Sequence, residues 1–189
     1  MKLAHISELH TGCLMLAEPF MDDTNFKRSV VLLTEYKEEG VIGFSLNQPS
    51  GFCLPDLLPE FDQEMYPVYT GGPVGQNTLH YIHVLGQYVE DSVDIGNGLY
   101  WSGNFETTRD LIFQNAITPQ QIRFFMGYAG WGYQQLHDEI ETFNSWVVSA
   151  NPYTNILTHE TQNLWKNLMK LKGKDYAEIA NYPEHPSLN

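Results

Sequence analysis

The stretch from Phe124 to Trp146, with the apolar residues that flank it, constrains the fold of this chain more than any other. Its first part, Ile122–Met126, is an apolar run that predicts a buried strand. Three glycines come next: Gly127, Gly130 and Gly132. After them, apolar residues recur at helical spacing: Tyr133, Leu136, Ile140 and Phe143. Because Trp146–Val148 then reads as a second strand, the stretch predicts a strand, a glycine turn, a helix and a strand in succession.

This interpretation makes specific structural predictions. The glycines supply a sharp connection between strand and helix, and at least one of them has a positive φ, which a side chain would make costly. On the helix, three apolar side chains are expected to be buried against a sheet: Leu136, Ile140 and Phe143. His137 and Glu141 lie on the other face, and we expect both to be exposed.

The rest of the chain places strands mainly in its first half and helices in its second. Arg28–Tyr36 and Ile42–Leu46 predict a β-hairpin, and Asn47–Gly51 is expected to close it as a turn. Helices are expected at Phe105–Ala116 and Gln162–Lys172. The order favours an α+β fold, with a mixed, largely antiparallel sheet and helices packed on it. We expect a single domain over residues 1–181 and a polar tail over 182–189.

Charge and composition exclude several classes of function. The 189 residues carry a formal net charge of −13 with only 10 Lys and Arg, which argues against binding nucleic acid or an anionic membrane. No run of about 18 apolar residues is present, and residues 1–17 are too polar for a signal peptide. Cys13 and Cys53 are expected to be free thiols. These features predict a cytoplasmic protein.

Thr70–Gly75 is a second glycine-rich segment, and it follows a predicted strand. Neither a phosphate-binding P-loop nor a dinucleotide fingerprint is present, because the chain has no Gly-Lys-Ser/Thr sequence and no Gly-x-Gly-x-x-Gly. The backbone amides of Gly71 and Gly72 could form a small anion-binding nest. A purely structural turn explains the same residues.

No catalytic or metal motif is complete. Ser45 lies inside a predicted strand and lacks the second glycine of a nucleophile elbow. His80 and His83 point to opposite faces of a predicted strand, so they do not share a metal. His137 and Glu141 share a helix face, but no further ligands accompany them. We therefore expect neither a metal nor a cofactor.

Aromatic residues beside the glycines give the remaining indication of a site. Tyr128 and Trp131 could line a pocket, or they could simply pack over bare backbone. The candidate binding residues come from both glycine-rich segments: Gly71, Gly72, Pro73, Tyr128, Gly130 and Trp131. If the two segments share a site, Thr70–Val74 should lie within contact distance of Gly130–Trp131.

Short motifs follow one another from Gly12 to Val148 in a specific order: Leu16-Ala17-Glu18-Pro19, Met21-Asp22, Phe26, Ser29-Val30-Val31, Gly43, Leu46-Asn47, Pro49, Val68-Tyr69, Gly71-Gly72-Pro73-Val74, Gly98-Leu99-Tyr100, Phe124-Phe125, Gly127-Tyr128, Gly130-Trp131, Gln135-Leu136, Glu139 and Trp146. In this order and spacing the chain resembles the AlgH/YqgE family of bacterial proteins. The resemblance implies a compact cytosolic protein without an assigned biochemical activity. One branch of the family is labelled a regulator of alginate synthesis genes.

The chain departs from the family pattern at four places. Tyr36 stands where the family often has His, and Gln48 where a basic residue usually precedes Pro49. The segment Trp101–Asn104 replaces a Gly-Gly pair, and His137 stands where Glu is common. If the histidine or the basic residue is catalytic in relatives, this chain has lost it.

The expected function is therefore a non-enzymatic contact with a protein or a small molecule, with an indirect regulatory role as one form of it. The alternative is a hydrolase with its site near Gly71–Val74 and Gly130–Trp131. A DNA-binding regulator is the least favoured reading, because of the charge. The sequence leaves the partner and the oligomeric state open.

Overall fold

The computed structural model describes residues 6–62 and 66–182. Within these residues the chain forms ten strands: β1 Leu14–Ala17, β2 Val30–Lys37, β3 Gly40–Ser45, β4 Pro49–Cys53, β5 Pro67–Thr70, β6 Val74–His83, β7 Val93–Gly96, β8 Leu99–Trp101, β9 Ile122–Trp131 and β10 Trp146–Ser149. It also forms five α-helices: α1 Leu54–Leu57, α2 Phe105–Phe113, α3 Tyr133–Glu141, α4 Thr161–Leu171 and α5 Lys174–Ile179.

All ten strands join one mixed sheet. Its main path runs β10-β1-β2-β3-β9-β6-β8-β7, and β4 and β5 lie beside that path. The pairing of β5 with β9 is parallel, whereas the other pairings among the described strands are antiparallel. The predicted α+β class, with a largely antiparallel sheet in a single domain, is confirmed.

Helices cover both faces of the sheet. Strand β1 shows the alternation, since Met15 packs with α3 and Leu16 packs with α4. On the first face Leu136 and Ile140 of α3 are buried, and on the second Leu164, Trp165, Leu168 and Met169 of α4 are buried. A third apolar cluster joins α2 to β5, β6 and β9.

Strand β9 is the centre of the sheet, and here the prediction of a turn at residues 127–132 was wrong. The strand continues through Trp131, because its last residues pair with β3, with Trp131 opposite Val41. Gly127 has φ +63, so the prediction of one positive φ is correct. Its conformation accompanies a bulge in the pairing with β6, rather than ending the strand.

Two further sequence predictions need correction. Pro49–Cys53 is the strand β4 paired with β5, so the segment predicted as a turn at Asn47–Gly51 ends inside a strand. Phe143 is 69% exposed rather than buried, because α3 ends at Glu141 and Phe143 falls beyond its apolar face. Residues 183–189 of the predicted tail lie outside the described residues.

Candidate functional site

A pocket of about 880 Å³ opens between the segment after β1, the end of β9, α3 and the start of β10. The four elements, the loop between α3 and β10, and Pro73 from the loop between β5 and β6 supply its lining residues: Glu18, Phe20, Met21, Asp22, Asp23, Phe26, Pro73, Gly130, Trp131, Gln135, Glu139, Phe143, Asn144, Ser145 and Trp146. We call it the aromatic pocket. Its volume lies within the range of about 300–1,000 Å³ that small-molecule sites occupy.

Three aromatic rings pack together beneath this pocket. Phe26 stacks on Trp131 with 5.8 Å between ring centroids, and it meets Trp146 edge-on at 5.4 Å. The two indoles are 5.9 Å apart and nearly perpendicular. Such offset and edge-to-face pairs stabilise each other beyond simple burial. The floor of the pocket is therefore preformed.

Glu139 is held by both indoles of this floor. Its Oε2 accepts hydrogen bonds from Nε1 of Trp131 at 3.1 Å and from Nε1 of Trp146 at 2.8 Å. Its Oε1 accepts a third bond, from Nε2 of Gln135 at 3.0 Å. Since Gln135 and Glu139 are four residues apart in α3, their side chains share one helix face. Three donors thus fix the position of this carboxylate.

The segment after β1 forms the opposite wall, and it carries a second carboxylate. The Glu18 backbone N–H donates to the Ser145 carbonyl at 2.9 Å, and Oε2 of Glu18 accepts from the Phe20 N–H at 2.8 Å. Burial raises the pKa of the Glu18 carboxyl above its usual value, and the bond from Phe20 partly opposes this. Oδ1 of Asp23 accepts from the Asn25 N–H at 2.8 Å, a turn contact that is typical of Asp.

The charged side chains that line the aromatic pocket are acidic. Its lining contains four carboxylates, on Glu18, Asp22, Asp23 and Glu139, and among the described residues no Lys, Arg or His lines it. Two exposed rings stand at its rim, with 62% of Phe20 and 69% of Phe143 accessible to solvent. The pocket therefore combines apolar surface with negative charge.

A smaller pocket, of about 410 Å³, lies next to the first and shares Gly130 and Trp131 with it. We call it the second pocket. Its other lining residues come mainly from the β2–β3 hairpin and from β9: Glu35, Glu39, Gly40, Val41, Ile42, Val74 and Tyr128. It also carries two carboxylates, so the two pockets resemble each other in charge.

The structure brings together some of the six candidate binding residues. Pro73, Gly130 and Trp131 line the aromatic pocket, and Tyr128 lines the second pocket. Gly71 and Gly72 line neither pocket. They lie against the β9 backbone so closely that a Cβ at either position would sit 2.3 Å from main-chain atoms. The Gly71 N–H donates to the Met126 carbonyl at 2.8 Å, so it is already used within the fold.

Sequence reasoning missed Glu18 and Glu139 as site residues. Glu139 belongs to a helix face that appeared merely polar, and the donor Trp146 comes from a different strand. A signal was present nonetheless, since Trp131, Gln135 and Glu139 recur every four residues across the start of α3. Glu18 gave no comparable spacing signal, although it belongs to the motif Leu16-Ala17-Glu18-Pro19 at the end of an apolar strand.

A separate polar cluster joins β2 to α3. The Tyr36 hydroxyl is 2.8 Å from Nε2 of His137 and 3.3 Å from the Tyr133 hydroxyl. Burial, with a smaller contribution from the bond to Tyr133, raises the pKa of the Tyr36 hydroxyl well above its usual value. His137 is thus half-buried, which corrects the prediction that it is exposed, whereas Glu141 is exposed as predicted.

The histidines of β6 have partners within the fold. Nε2 of His83 donates to the Ser102 carbonyl at 2.9 Å, and its Nδ1 accepts from the Leu85 N–H at 3.2 Å. Nε2 of His80 lies 2.9 Å from Oγ1 of Thr78. Over residues 6–62 and 66–182, no three His, Cys, Asp or Glu side chains come together as a metal site would require. In the same ranges no helix has the length and apolar character needed to cross a bilayer.

Comparison with known proteins decides the family. A family model described as AlgH-like, DUF179, matches residues 14–177. The chain belongs to the AlgH-like family. This AlgH-like protein is 38% identical over 181 residues to a UPF0301 protein of Chlorobaculum parvum, a match that covers 96% of each chain. It is 37% identical over 179 residues to a UPF0301 protein of Bacteroides fragilis, covering 94% of this chain and 90% of the relative.

Two solved structures have the same fold as this AlgH-like protein. A crystal structure of a protein from Corynebacterium diphtheriae superposes with a TM-score of 0.76 at 22% identity, covering 96% of this chain and 95% of that one. The solution structure of the AlgH protein from Pseudomonas aeruginosa superposes with a TM-score of 0.70 at 25% identity, covering 98% and 100%. None of these descriptions names a biochemical activity.

Proposed function

We propose that this AlgH-like protein is a cytosolic binding protein whose aromatic pocket takes a positively charged group, and that it carries out no chemical step there. The observation that carries the proposal is the Glu139 carboxylate, fixed by Trp131 and Trp146 at an open pocket. The cytosolic location is supported by Cys13 and Cys53, which are both free thiols.

The state of Glu139 supports recognition rather than proton transfer. A carboxylate has about four lone-pair positions, and three of them already receive N–H donors from the protein. About one position is left for a ligand. A group held in this way is suited to accept a hydrogen bond in a fixed direction, which is how binding sites gain specificity.

The surroundings of Glu139 support a positive ligand. An organic cation gains Coulomb energy from the carboxylates around it, and it meets no like charge in the lining. Exposed aromatic faces also attract cations, and Phe20 and Phe143 stand at the rim. An anion in the same position would face four carboxylates and no cation.

A matched ligand series tests the proposal. The indole ¹H–¹⁵N signals of Trp131 and Trp146 would be followed by NMR. Two cations (butylammonium and butylguanidinium), a neutral alcohol (pentan-1-ol) and an anion (pentanoate) would be added separately. We expect the two cations to shift both signals, and the neutral and anionic analogues to have little effect. The Glu139→Gln variant should weaken the response, whereas Glu141→Gln, an exposed change on the same helix, should leave it intact.

Two results would contradict the proposal. One is an absence of any shift with either cation. The other is a stronger response to pentanoate than to butylammonium, which would show that the negative lining does not govern binding. If the Glu139→Gln variant binds the cations with wild-type affinity, Glu139 does not contribute to binding.

A hydrolase remains a second candidate, and Glu18 is the observation that favours it. Burial raises its pKa, and a carboxyl with a raised pKa beside other carboxylates is the pattern of a general acid. Release of p-nitrophenol from p-nitrophenyl esters and glycosides tests this candidate. Hydrolysis by the native chain that is lost in Glu18→Gln would support it. Equal non-zero rates in both proteins would exclude Glu18 as the general acid, and no hydrolysis by the native chain would contradict the hydrolase candidate.

A further inference from the structure

The aromatic pocket and the second pocket meet at the end of β9. Both are lined by Gly130 and Trp131, and we call the surface that joins them at these two residues the groove. The two pockets lie on opposite faces of the sheet. Phe26 and Trp146, which line only the aromatic pocket, pack with α3 on one face. Tyr128 and Ile42, which line only the second pocket, pack with the cluster under α4 on the other face.

The edge of β9 is open where the groove crosses it. On one side, Gly130 and Trp131 pair with Ile42 and Val41 of β3. On the other side, the pairing with β6 extends only to Tyr128, opposite Val74. Among the strand pairings of the described residues, none involves Gly130 or Trp131 on that second side. An open edge offers main-chain groups to which another extended segment can bind.

Both ends of the groove are acidic. Glu18, Asp22, Asp23 and Glu139 line the aromatic pocket, and Glu35 and Glu39 line the second pocket. Lys37 forms an ion pair with Glu35 beside the second pocket, with Nζ 2.6 Å from Oε2, and the Lys37 side chain is 61% exposed. A partner that spans the groove therefore meets negative charge at both ends.

We propose that the partner is an extended polypeptide with two adjacent basic residues, which adds to the edge of β9 at Gly130–Trp131. Neighbouring side chains of a strand point to opposite faces. Two consecutive basic residues would thus enter the aromatic pocket and the second pocket, one into each. A second copy of this chain is disfavoured as the occupant, since each copy carries a net charge of −13. The proposal rests on the cation-binding pocket argued above.

Two peptides of equal composition and charge test this geometry. One is acetyl-Gly-Val-Arg-Lys-Val-Gly-amide, whose basic residues are adjacent. The other is acetyl-Gly-Arg-Val-Lys-Val-Gly-amide, whose basic residues would both point to one face of an added strand. Each peptide would carry fluorescein at its C-terminus, through a linker that contains no lysine. The full chain would be added in steps, and binding would be followed by fluorescence anisotropy. We expect the adjacent arrangement to bind more tightly by about fivefold or more, since only it satisfies both pockets.

Variants show whether each end of the groove contributes to peptide binding beyond the effect of the protein's net charge. Asp22→Asn removes a charge from the aromatic pocket, and Glu39→Gln removes one from the second pocket. Each should weaken the adjacent peptide by about twofold to tenfold and should reduce the difference between the peptides. Glu106→Gln changes the net charge equally on α2, which lines neither pocket, and it should leave both affinities unchanged.

The outcomes distinguish this proposal from the one on which it rests. Equal affinity for the two peptides, or an adjacent peptide unaffected by Glu39→Gln, would overturn strand addition across the groove. If butylguanidinium still shifts the indole signals in that case, the cation-binding pocket stands. If neither peptide nor small cation binds, both proposals fail. A stable dimer by light scattering that peptide does not dissociate would assign the edge to a second copy instead.

Discussion

Trp146 donates its indole N–H to Oε2 of Glu139 across 2.8 Å. This bond joins the first residue of β10, an edge strand of the sheet, to α3. Trp131 of β9 donates to the same oxygen at 3.1 Å. One carboxylate therefore links a helix, a central strand and an edge strand, so Glu139 stabilises the fold as well as shaping the pocket.

Replacing Glu139 by Gln should consequently reduce stability. The amide can still accept at its oxygen, but its N–H₂ group cannot accept from Gln135 or an indole. Because the indoles of Trp131 and Trp146 are nearly buried, a lost acceptor should lower the free energy of unfolding by about 1–3 kcal/mol. Urea unfolding followed by circular dichroism measures this. Glu141→Gln is the control, and a loss of similar size there would contradict the assignment.

The apolar face of α3 provides a second pair of variants. Leu136 is fully buried, so Leu136→Ala should lower the free energy of unfolding by about 2–5 kcal/mol. Phe143→Ala should change it by no more than about 0.5 kcal/mol, since that ring is mostly exposed. The same urea experiment decides both. Equal losses would mean that Phe143 packs into the core after all.

Gly127 and Gly51 form a pair that separates backbone strain from close contact. Both have positive φ, but a Cβ at Gly127 would lie 2.6 Å from the Val74 carbonyl oxygen, whereas nothing lies within 4 Å of one at Gly51. Gly51→Ala should therefore cost only the strain, about 1–2 kcal/mol. Gly127→Ala should cost clearly more, as judged by chemical unfolding. A smaller loss at Gly127 than at Gly51 would be inconsistent with the tight passage of β6 over β9.

The two thiols should differ in reactivity. Burial raises the pKa of the Cys13 thiol to about 11, and its side chain is inaccessible, whereas Cys53 is partly exposed. In the native protein an aromatic disulfide reagent should react with Cys53 alone, because thiolate and access are both required. Urea should then release Cys13, giving two thiols per chain. Rapid native reaction of Cys53→Ser protein would contradict the burial of Cys13.

His83 makes the stability depend on pH. Burial lowers its pKa in the folded state, and the bond from Nε2 to the Ser102 carbonyl opposes this only partly. The unfolded chain, with a His pKa of about 6.5, then binds more protons just below that pH. Stability should thus be full above about pH 6.5 and decrease as the pH falls below it. In His83→Gln, the free energy of unfolding should depend less on pH over this range. An unchanged pH dependence would assign the effect to another group, such as His80, because burial also lowers the pKa of His80.

How far the sequence predicted this protein depends on the distance over which each contact forms. The β2–β3 hairpin and the apolar face of α4 were predicted because their patterns are local. Strand β9 was predicted to stop at Met126, since glycines usually mark turns, and its continuation depends on pairing with Val41 of a distant strand. Within the site, the meeting of Pro73 with Gly130 and Trp131 was anticipated from two glycine-rich segments. The role of Glu139 was not, because its donor Trp146 reaches it only once β10 has joined the sheet.

Two of the departures from the family pattern, at Tyr36 and His137, are related by a contact that forms only in the fold. Tyr36 and His137 are 101 residues apart in sequence, yet they share a hydrogen bond of 2.8 Å. Each appeared in the sequence as an isolated change at a polar position. In the fold they form one contact between β2 and α3.

The position of β9 in the sheet has a consequence for how the chain is made. This strand lies between β3 and β6, but it follows both along the chain, so Ile122–Trp131 leaves the ribosome after eight strands that precede it. Until then the facing edges of β3 and β6 have no strand between them. Open edges of this kind recruit other strands, and contacts between distant residues form slowly. A nascent chain that stalls before Ile122 therefore leaves the edges of β3, β5 and β6 that pair with β9 without a partner, and it is at this stage that other strands would associate most readily.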